Sequence, residues 1–134
     1  MIMGADLYFY YIPYQKNVSI ALNKLREQVF QSGQFRGSEL SPKNMKKAFE
    51  NMEAEGTGSI LDIHTISKTP DYCIASPMSQ TNLYKYFGTD KPSREMITNN
   101  QAFIFDIERG HAIYIIIFKN NAPNEFYFAG LSFD

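Results

Sequence analysis

The C-terminal segment constrains the fold of this chain more than any other feature. Residues 111 to 118 read HAIYIIIF and residues 126 to 133 read FYFAGLSF, with the polar turn NNAPN between them. Side chains of an extended strand alternate between two sides, and both sides of each arm are largely apolar here. Strands of this kind lie in the middle of a sheet that is covered on both faces. The sequence therefore predicts a hairpin at the centre of a sheet.

The N-terminal third predicts one further strand and one helix. The run ADLYFYYI, roughly residues 5 to 12, is rich in strand-forming residues, is apolar on both sides and ends at Pro13. After it, apolar residues recur at helical spacing from Val18 to Val29, and Gly33 provides a helix stop. This pattern indicates an amphipathic helix.

The middle of the chain predicts three more helices and a strand. Ser41 before Pro42 suits the first turn of a helix that ends at Gly56, and Ser76 before Pro77 suits another that ends at Gly88. Residues 96 to 107 show helical spacing before Gly110. GSILDIHTIS, residues 58 to 67, alternates in a way that predicts a strand.

The order of these elements is typical of an α+β fold. We expect residues 1 to 134 to form a single domain, in which a mostly antiparallel sheet of about four strands, including the C-terminal hairpin, packs with about four helices. If all the helices lie on one face, the tyrosine-rich second face stays open, and an open apolar patch of that size marks a partner or ligand surface.

Composition narrows the classes of function. The net charge is −1 and charged residues make up 20% of the chain, which provides no overall field for nucleic acid or an anionic membrane. The apolar runs are too short to span a bilayer, and the start of the sequence lacks the pattern of a secretory signal. A single cysteine, Cys73, fits a reducing compartment. We therefore expect a soluble, cytoplasmic protein that binds neither nucleic acid nor membrane.

Asp62 and His64 form the most enzyme-like pattern. Two residues apart on a strand, they would project from one face, where a carboxylate can orient an imidazole as a general base. His111 is the only other histidine, and Asp6 joins the candidates if the sheet brings the strand starts together. A metal site needs three or four converging ligands, and the spacing here matches no metal signature. We predict no metal and no cofactor.

Both His111 and Cys73 also have explanations without chemistry. His111 directly follows Gly110, and a histidine at a helix C-terminus is favoured by the helix dipole. Cys73 has no neighbouring cysteine, and a lone cysteine is more often a small buried apolar residue than a nucleophile. A Cys-His nucleophile that pairs Cys73 with His64 or His111 is the less favoured reading.

A tyrosine cluster in the first strand is the best sequence argument for a binding surface. Aromatic residues are enriched at protein interfaces, and the polar tip of a buried tyrosine needs a partner. The members of this cluster are Tyr8, Tyr10, Tyr11 and Tyr14.

The opening MGADLYFY, counted from Met3, resembles the first residues of several uncharacterised small bacterial and phage proteins that begin Met-Gly-Ala-Asp-Leu or Met-Gly-Ala-Asp-Ile followed by Tyr. The resemblance covers about six residues and implies a bacterial origin. It brings no activity, cofactor or catalytic residue with it.

Two hypotheses follow. The first is a non-catalytic binding or regulatory module that engages another protein or a second copy of itself, as an inhibitor or immunity-type partner would. The alternative is a small hydrolase with Asp62, His64 and His111 around a cleft.

Overall fold

The computed structural model describes residues 6 to 134. The MGADLYFY resemblance rests partly on residues 3 to 5, which lie outside the described residues, as does the predicted start of the first strand at residue 5. The strands are β1 (Leu7–Pro13), β2 (Thr65–Ile66), β3 (Ile74–Pro77), β4 (Ala112–Lys119) and β5 (Ala122–Leu131). The helices are α1 (Val18–Ser32), α2 (Met45–Asn51), α3 (Gln80–Phe87) and α4 (Arg94–Asn99), with 3₁₀ turns at Ser38–Leu40, Ile60–Asp62 and Ala102–Asp106.

The strands form a mixed sheet in the order β1-β5-β4-β3-β2. The three long strands pair antiparallel, β1 with β5 and β5 with β4, whereas β3 runs parallel to both β4 and β2. The predicted α+β fold is confirmed, with five strands instead of about four. Parallel pairing at one side arises because α3 and α4 lie between β3 and β4 in the chain and return it to the same end of the sheet.

The predicted hairpin is confirmed as β4 and β5, which lie in the interior of the sheet. Asn120 and Asn121 form the turn, both at positive φ (51° and 63°), a conformation that asparagine tolerates and that matches the twist of a tight hairpin. Every residue from 126 to 131 is buried.

Two hydrophobic clusters cover the two faces of this sheet. On the first, called the α1 face, Phe126 and Phe128 of β5 pack with Leu22 and Leu25 of α1. On the second, called the α4 face, Tyr127 and Ala129 of β5 pack with other residues, including Ile97 of α4 and Phe103 of the last 3₁₀ turn. Helices therefore lie on both faces, and the fully open face that one-sided packing would leave is not present.

The predicted bounds of α1 are confirmed by its caps. Asn17 accepts a hydrogen bond from the N–H of Ile20 at 3.1 Å, and Gly33 ends the helix at φ 71°. The Ser-Pro predictions for the next two helices are wrong. Ser41 ends a 3₁₀ turn, whereas α2 starts at Met45, after its cap Asn44, and ends at Asn51 instead of at Gly56.

Ser76 and Pro77 belong to β3, and the cap of α3 is Ser79, whose hydroxyl accepts from the N–H of Asn82 at 3.1 Å. Proline is tolerated both in a first helical turn and at the end of a short strand, so the dipeptide alone does not distinguish them. Gly88 ends α3 as predicted.

The predicted strand over residues 58 to 67 is wrong except for Thr65–Ile66. Residues 60 to 62 form a 3₁₀ turn that begins at Ser59, whose hydroxyl accepts from the N–H of Leu61 at 3.2 Å. Ile60, Leu61 and Ile63 are all fully buried, so the turn is enclosed on every side. A buried turn with apolar residues on all sides can show the same alternation as a strand.

The predicted helix over residues 96 to 107 is also divided. α4 ends at Asn99, and a separate 3₁₀ turn spans Ala102–Asp106. Gly110 follows no helix; at φ 79° it donates its N–H to the carbonyl of Leu131 at 2.9 Å. The explanation of His111 as a helix-end residue is therefore wrong.

Within residues 6 to 134, no helix combines the length and the apolar character that crossing a membrane requires.

Candidate functional site

Asp62 is a completely buried carboxyl group in the turn that precedes β2. Its Oδ1 accepts two hydrogen bonds from Thr57, from the backbone N–H at 2.7 Å and from the hydroxyl at 2.8 Å. Its Oδ2 has no hydrogen-bond partner among residues 6 to 134. Burial raises the pKa of Asp62, while the bonds from Thr57 act in the opposite direction. The group holds the loop together and has no path to solvent for a substrate.

The side chain of Tyr8, a residue of β1, lies on the α1 face of the sheet near Asp62. Its side chain is buried, its hydroxyl has no hydrogen-bond partner, and a Cβ at Gly130 would lie 2.3 Å from that hydroxyl. Burial raises the pKa of Tyr8 well above its ordinary value, with a further contribution from the negative charge of Asp62. Tyr8 is therefore a core residue that fits against a glycine.

His64 follows the turn and is exposed. Its ring packs edge-on against Phe49 at a centroid distance of 4.6 Å. Partial burial lowers the pKa of His64, and the charge of Arg26 lowers it further, with no carboxylate among the causes. The strand face that was expected to join His64 to Asp62 does not form.

His111 is half-buried and directly precedes β4. Its Nε2 is 3.6 Å from Oε2 of Glu108, and its ring packs edge-on against Tyr72 at 5.3 Å. Further ring contacts, from Tyr72 to Phe133 at 6.0 Å and from Phe133 to Phe49 at 6.3 Å, connect the surroundings of the two histidines.

These ring contacts are apolar, and no group of three or more His, Cys, Asp or Glu side chains within residues 6 to 134 could hold a metal ion.

Asp6 has a structural setting at the start of β1. Its carboxylate forms an ion pair with Arg36, and its N–H donates to the hydroxyl of Ser132 at 3.1 Å. Arg36 also donates to the carbonyl of Gly56 at 3.0 Å. Asp6 thus helps to fix β1 to the loop before α2 and to the end of β5, and it does not join the histidines.

The backbone of Cys73 is hydrogen-bonded to His64 on one side and to Gly110 on the other. Its carbonyl accepts from the N–H of His64 and its own N–H donates to the carbonyl of Gly110, both at 2.8 Å. Burial raises the pKa of the Cys73 thiol, with Asp62 as the next contribution. A raised pKa disfavours the thiolate that a nucleophile requires.

A cavity of about 460 Å³ opens on the α4 face beside β3. Ser76 and Ile113, opposite each other on β3 and β4, lie at its base; Tyr86 and Phe103 line it, and His111 also contributes. Its size suits a small molecule. Sequence reasoning did not find it because its walls come from segments that only the crossover between β3 and β4 brings together.

The charged residues that line this cavity are of both signs. Lys68 is opposite in charge to Asp106 and Glu108, and Asp106 already accepts a hydrogen bond from the hydroxyl of Tyr86. The lining does not favour a cationic over an anionic ligand.

The exposed edge of the sheet at β1 is a second candidate site. β1 pairs with β5 alone, so its other side faces away from the rest of the described chain. The N–H of Ser132 donates to the carbonyl of Asp6 at 3.0 Å, and the N–H of Tyr14 donates to the carbonyl of Asn124 at 3.1 Å. Even-numbered residues therefore bond to β5.

Because backbone groups of an antiparallel strand alternate in direction, the N–H and C=O groups of Leu7, Phe9 and Tyr11 point away from β5. Side chains of the same residues lie on the α4 face, where Leu7 is 41% and Phe9 is 52% exposed. Phe9 stacks on Tyr127 at a centroid distance of 6.1 Å, and about half of its side chain remains exposed. We call the outward backbone groups of these residues, with the side chains of Leu7 and Phe9, the β1 edge.

The predicted tyrosine surface is largely core. Tyr8 is buried, Tyr10 accepts from the N–H of Ile60 at 3.2 Å, and Tyr14 packs on Phe126 at 5.0 Å. Tyr11 contacts the hydroxyl of Thr98 at 3.1 Å and lies under the guanidinium of Arg94 at 4.0 Å. The exposed aromatic and aliphatic residues of this strand are Phe9 and Leu7, which the tyrosine count did not single out.

Comparisons with protein-family models, with curated proteins and with solved structures find no match for this chain.

Proposed function

We propose that this protein is a non-catalytic binding module that engages a protein partner by strand addition at the β1 edge. The observation that carries the proposal is the row of backbone groups at Leu7, Phe9 and Tyr11 that pair with no other strand within residues 6 to 134, beside exposed apolar side chains. An incoming strand would satisfy those groups and cover the side chains.

β1 lacks the features that usually keep an edge strand from pairing with another chain, which supports this proposal. Proteins usually guard an edge strand with a lysine, an inward charge, a bulge or a central proline. β1 contains no charged residue, pairs with β5 in an unbroken register, and carries its proline only at the last position, Pro13. Such a strand suits a role in pairing.

The single cysteine is in keeping with a reducing compartment, and we place this interaction in the cytoplasm.

The test is capture of partners from an extract of the cells that express the protein, with three baits. Wild type and Leu40→Lys should retain the same partner, because Leu40 is 56% exposed but lies outside β1. Phe9→Lys should lose it, since a lysine on the β1 edge disfavours strand addition. A partner retained equally by all three baits would refute the proposal.

One observation favours a second candidate, a small hydrolase. His111 and Glu108 form a pair beside the cavity, which is the arrangement that a general base needs. Screening the purified protein against ester and phosphate substrates tests it: any activity should disappear in His111→Ala and persist in His64→Ala. Loss in both variants, or in neither, would exclude a site built on His111 alone.

A further inference from the structure

We propose that the strand added at the β1 edge is β1 of a second copy of the chain, antiparallel to the first and related by a two-fold axis at Phe9. This inference rests on the proposed function and names its partner. It extends the sheet continuously through both copies.

The geometry of the outward groups is self-complementary. Leu7, Phe9 and Tyr11 are evenly spaced about Phe9, and each presents one donor and one acceptor away from β5. In the antiparallel pair, Phe9 lies opposite Phe9 of the second copy. Leu7 of each copy lies opposite Tyr11 of the other copy, which makes three pairs in all. Each of these pairs exchanges two backbone hydrogen bonds, which gives about six in all.

Side chains agree with this register. On the α4 face, Phe9 would contact Phe9 of the second copy across the axis. Leu7, which is 41% exposed, would pack beside Tyr11 of the second copy. Aromatic and aliphatic cross-strand pairs of this type stabilise a sheet. Leu7 and Phe9, the exposed large hydrophobic residues of β1, are therefore residues that the second copy would cover.

Charge argues for a second copy over a charged foreign segment. No charged side chain lies within Leu7–Pro13, so two copies meet without repulsion along the strand. Beside the strand, Asp6 pairs with Arg36 and Arg94 pairs with Glu125, so these charges are balanced within the chain.

A single strand pair buries a small interface, so we expect a dissociation constant of about 1 to 100 µM. Sedimentation equilibrium from about 1 to 500 µM should show wild type and the Leu40→Lys control passing from monomer to dimer. Phe9→Lys should associate at least about 100-fold more weakly, because two lysines would meet at the axis.

A mixture of Phe9→Lys and Phe9→Glu tests the register. Lysine of one variant then faces glutamate of the other, and dimerisation should return to within about 10-fold of wild type. Failure of the mixture to associate while wild type dimerises would overturn the axis at Phe9.

Hydrogen exchange on wild-type protein needs no variant. The amides of Leu7, Phe9 and Tyr11 should be protected at high concentration and exchange at low concentration, whereas those of Tyr8 and Tyr10 should be protected at both. A dimer that leaves the odd-numbered amides unprotected, or that survives Phe9→Lys, overturns the inference. A monomer throughout also overturns it, and the proposed function then depends on the capture experiment alone.

Discussion

At the scale of single residues, two buried side-chain atoms that lack a hydrogen-bond partner within residues 6 to 134 affect how substitutions change stability. These two atoms are the hydroxyl of Tyr8 and Oδ2 of Asp62. An unsatisfied buried group costs free energy that a satisfied one does not. Substitutions at these positions should therefore have effects that differ from those at neighbouring tyrosines and carboxylates.

We expect Tyr8→Phe to leave the free energy of unfolding unchanged or to raise it by up to about 1 kcal/mol, because the hydroxyl that is removed makes no hydrogen bond. Tyr10→Phe is the matched control and should cost about 1 kcal/mol, since it removes the acceptor for the N–H of Ile60. Urea unfolding of the two variants measures the difference. Equal losses would show that the Tyr8 hydroxyl has a partner.

The raised pKa of Asp62 predicts a pH effect of definite sign. The folded state binds the proton more tightly than the unfolded state, in which the pKa is about 3.9. Stability from this group is present below that pH and is lost as the pH rises through the folded-state pKa. The unfolding free energy of wild type minus that of Asp62→Asn should therefore decrease from about pH 4 to pH 7. An increasing difference would mean that the charged carboxylate is favoured in the fold.

At the level of elements, strong local patterns were sufficient for prediction and weak ones were not. α1 was predicted because its apolar spacing and its stop at Gly33 agree, and the hairpin because both arms are apolar on both sides. β3 was missed because it has four residues inside a segment that also suits a helix start. The turn around Asp62 was mistaken for a strand because apolar residues on every side of a buried turn can show the same alternation as a strand.

The candidate sites were less predictable than the elements. The cavity near His111 depends on a crossover that brings α3 beside β4, and no local pattern encodes it. The exposure of Phe9 depends on where the helical layer ends. The sequence predicted a binding surface on β1 from its tyrosines, which proved to be mostly packed against the core.

The corrected start of α2 can be tested directly. Asn44→Ala should lower the free energy of unfolding by about 1 kcal/mol, because the Asn44 side chain accepts from the N–H of Lys47 at 2.8 Å. Ser41→Gly should not destabilise the protein, since Ser41 caps no α-helix and has a positive φ that suits glycine. Chemical denaturation measures both variants. The reverse order of stability would restore Ser41 as the cap.

The whole molecule should unfold as one unit, because β4 and β5 contribute side chains to both hydrophobic clusters. We expect Leu22→Ala on the α1 face to cost about 2 to 5 kcal/mol and Phe103→Ala on the α4 face about 3 to 5 kcal/mol. Each variant should show one transition by circular dichroism and tyrosine fluorescence, with the same midpoint for both probes. Separate transitions for the two faces would contradict the single domain that we expect over residues 1 to 134.

The pairing of β1 with β5 also affects the order of folding. Asp6 and Ser132, which are bonded at one end of this pair, are 126 positions apart in the sequence. The β4–β5 hairpin closes through a two-residue turn and can form early, whereas joining β1 requires closure of almost the whole chain. During synthesis, β1 leaves the ribosome long before β5 exists. An apolar strand without its neighbour is exposed to misassociation at that stage, so the folding of this protein depends on how the nascent chain is protected until β5 is made.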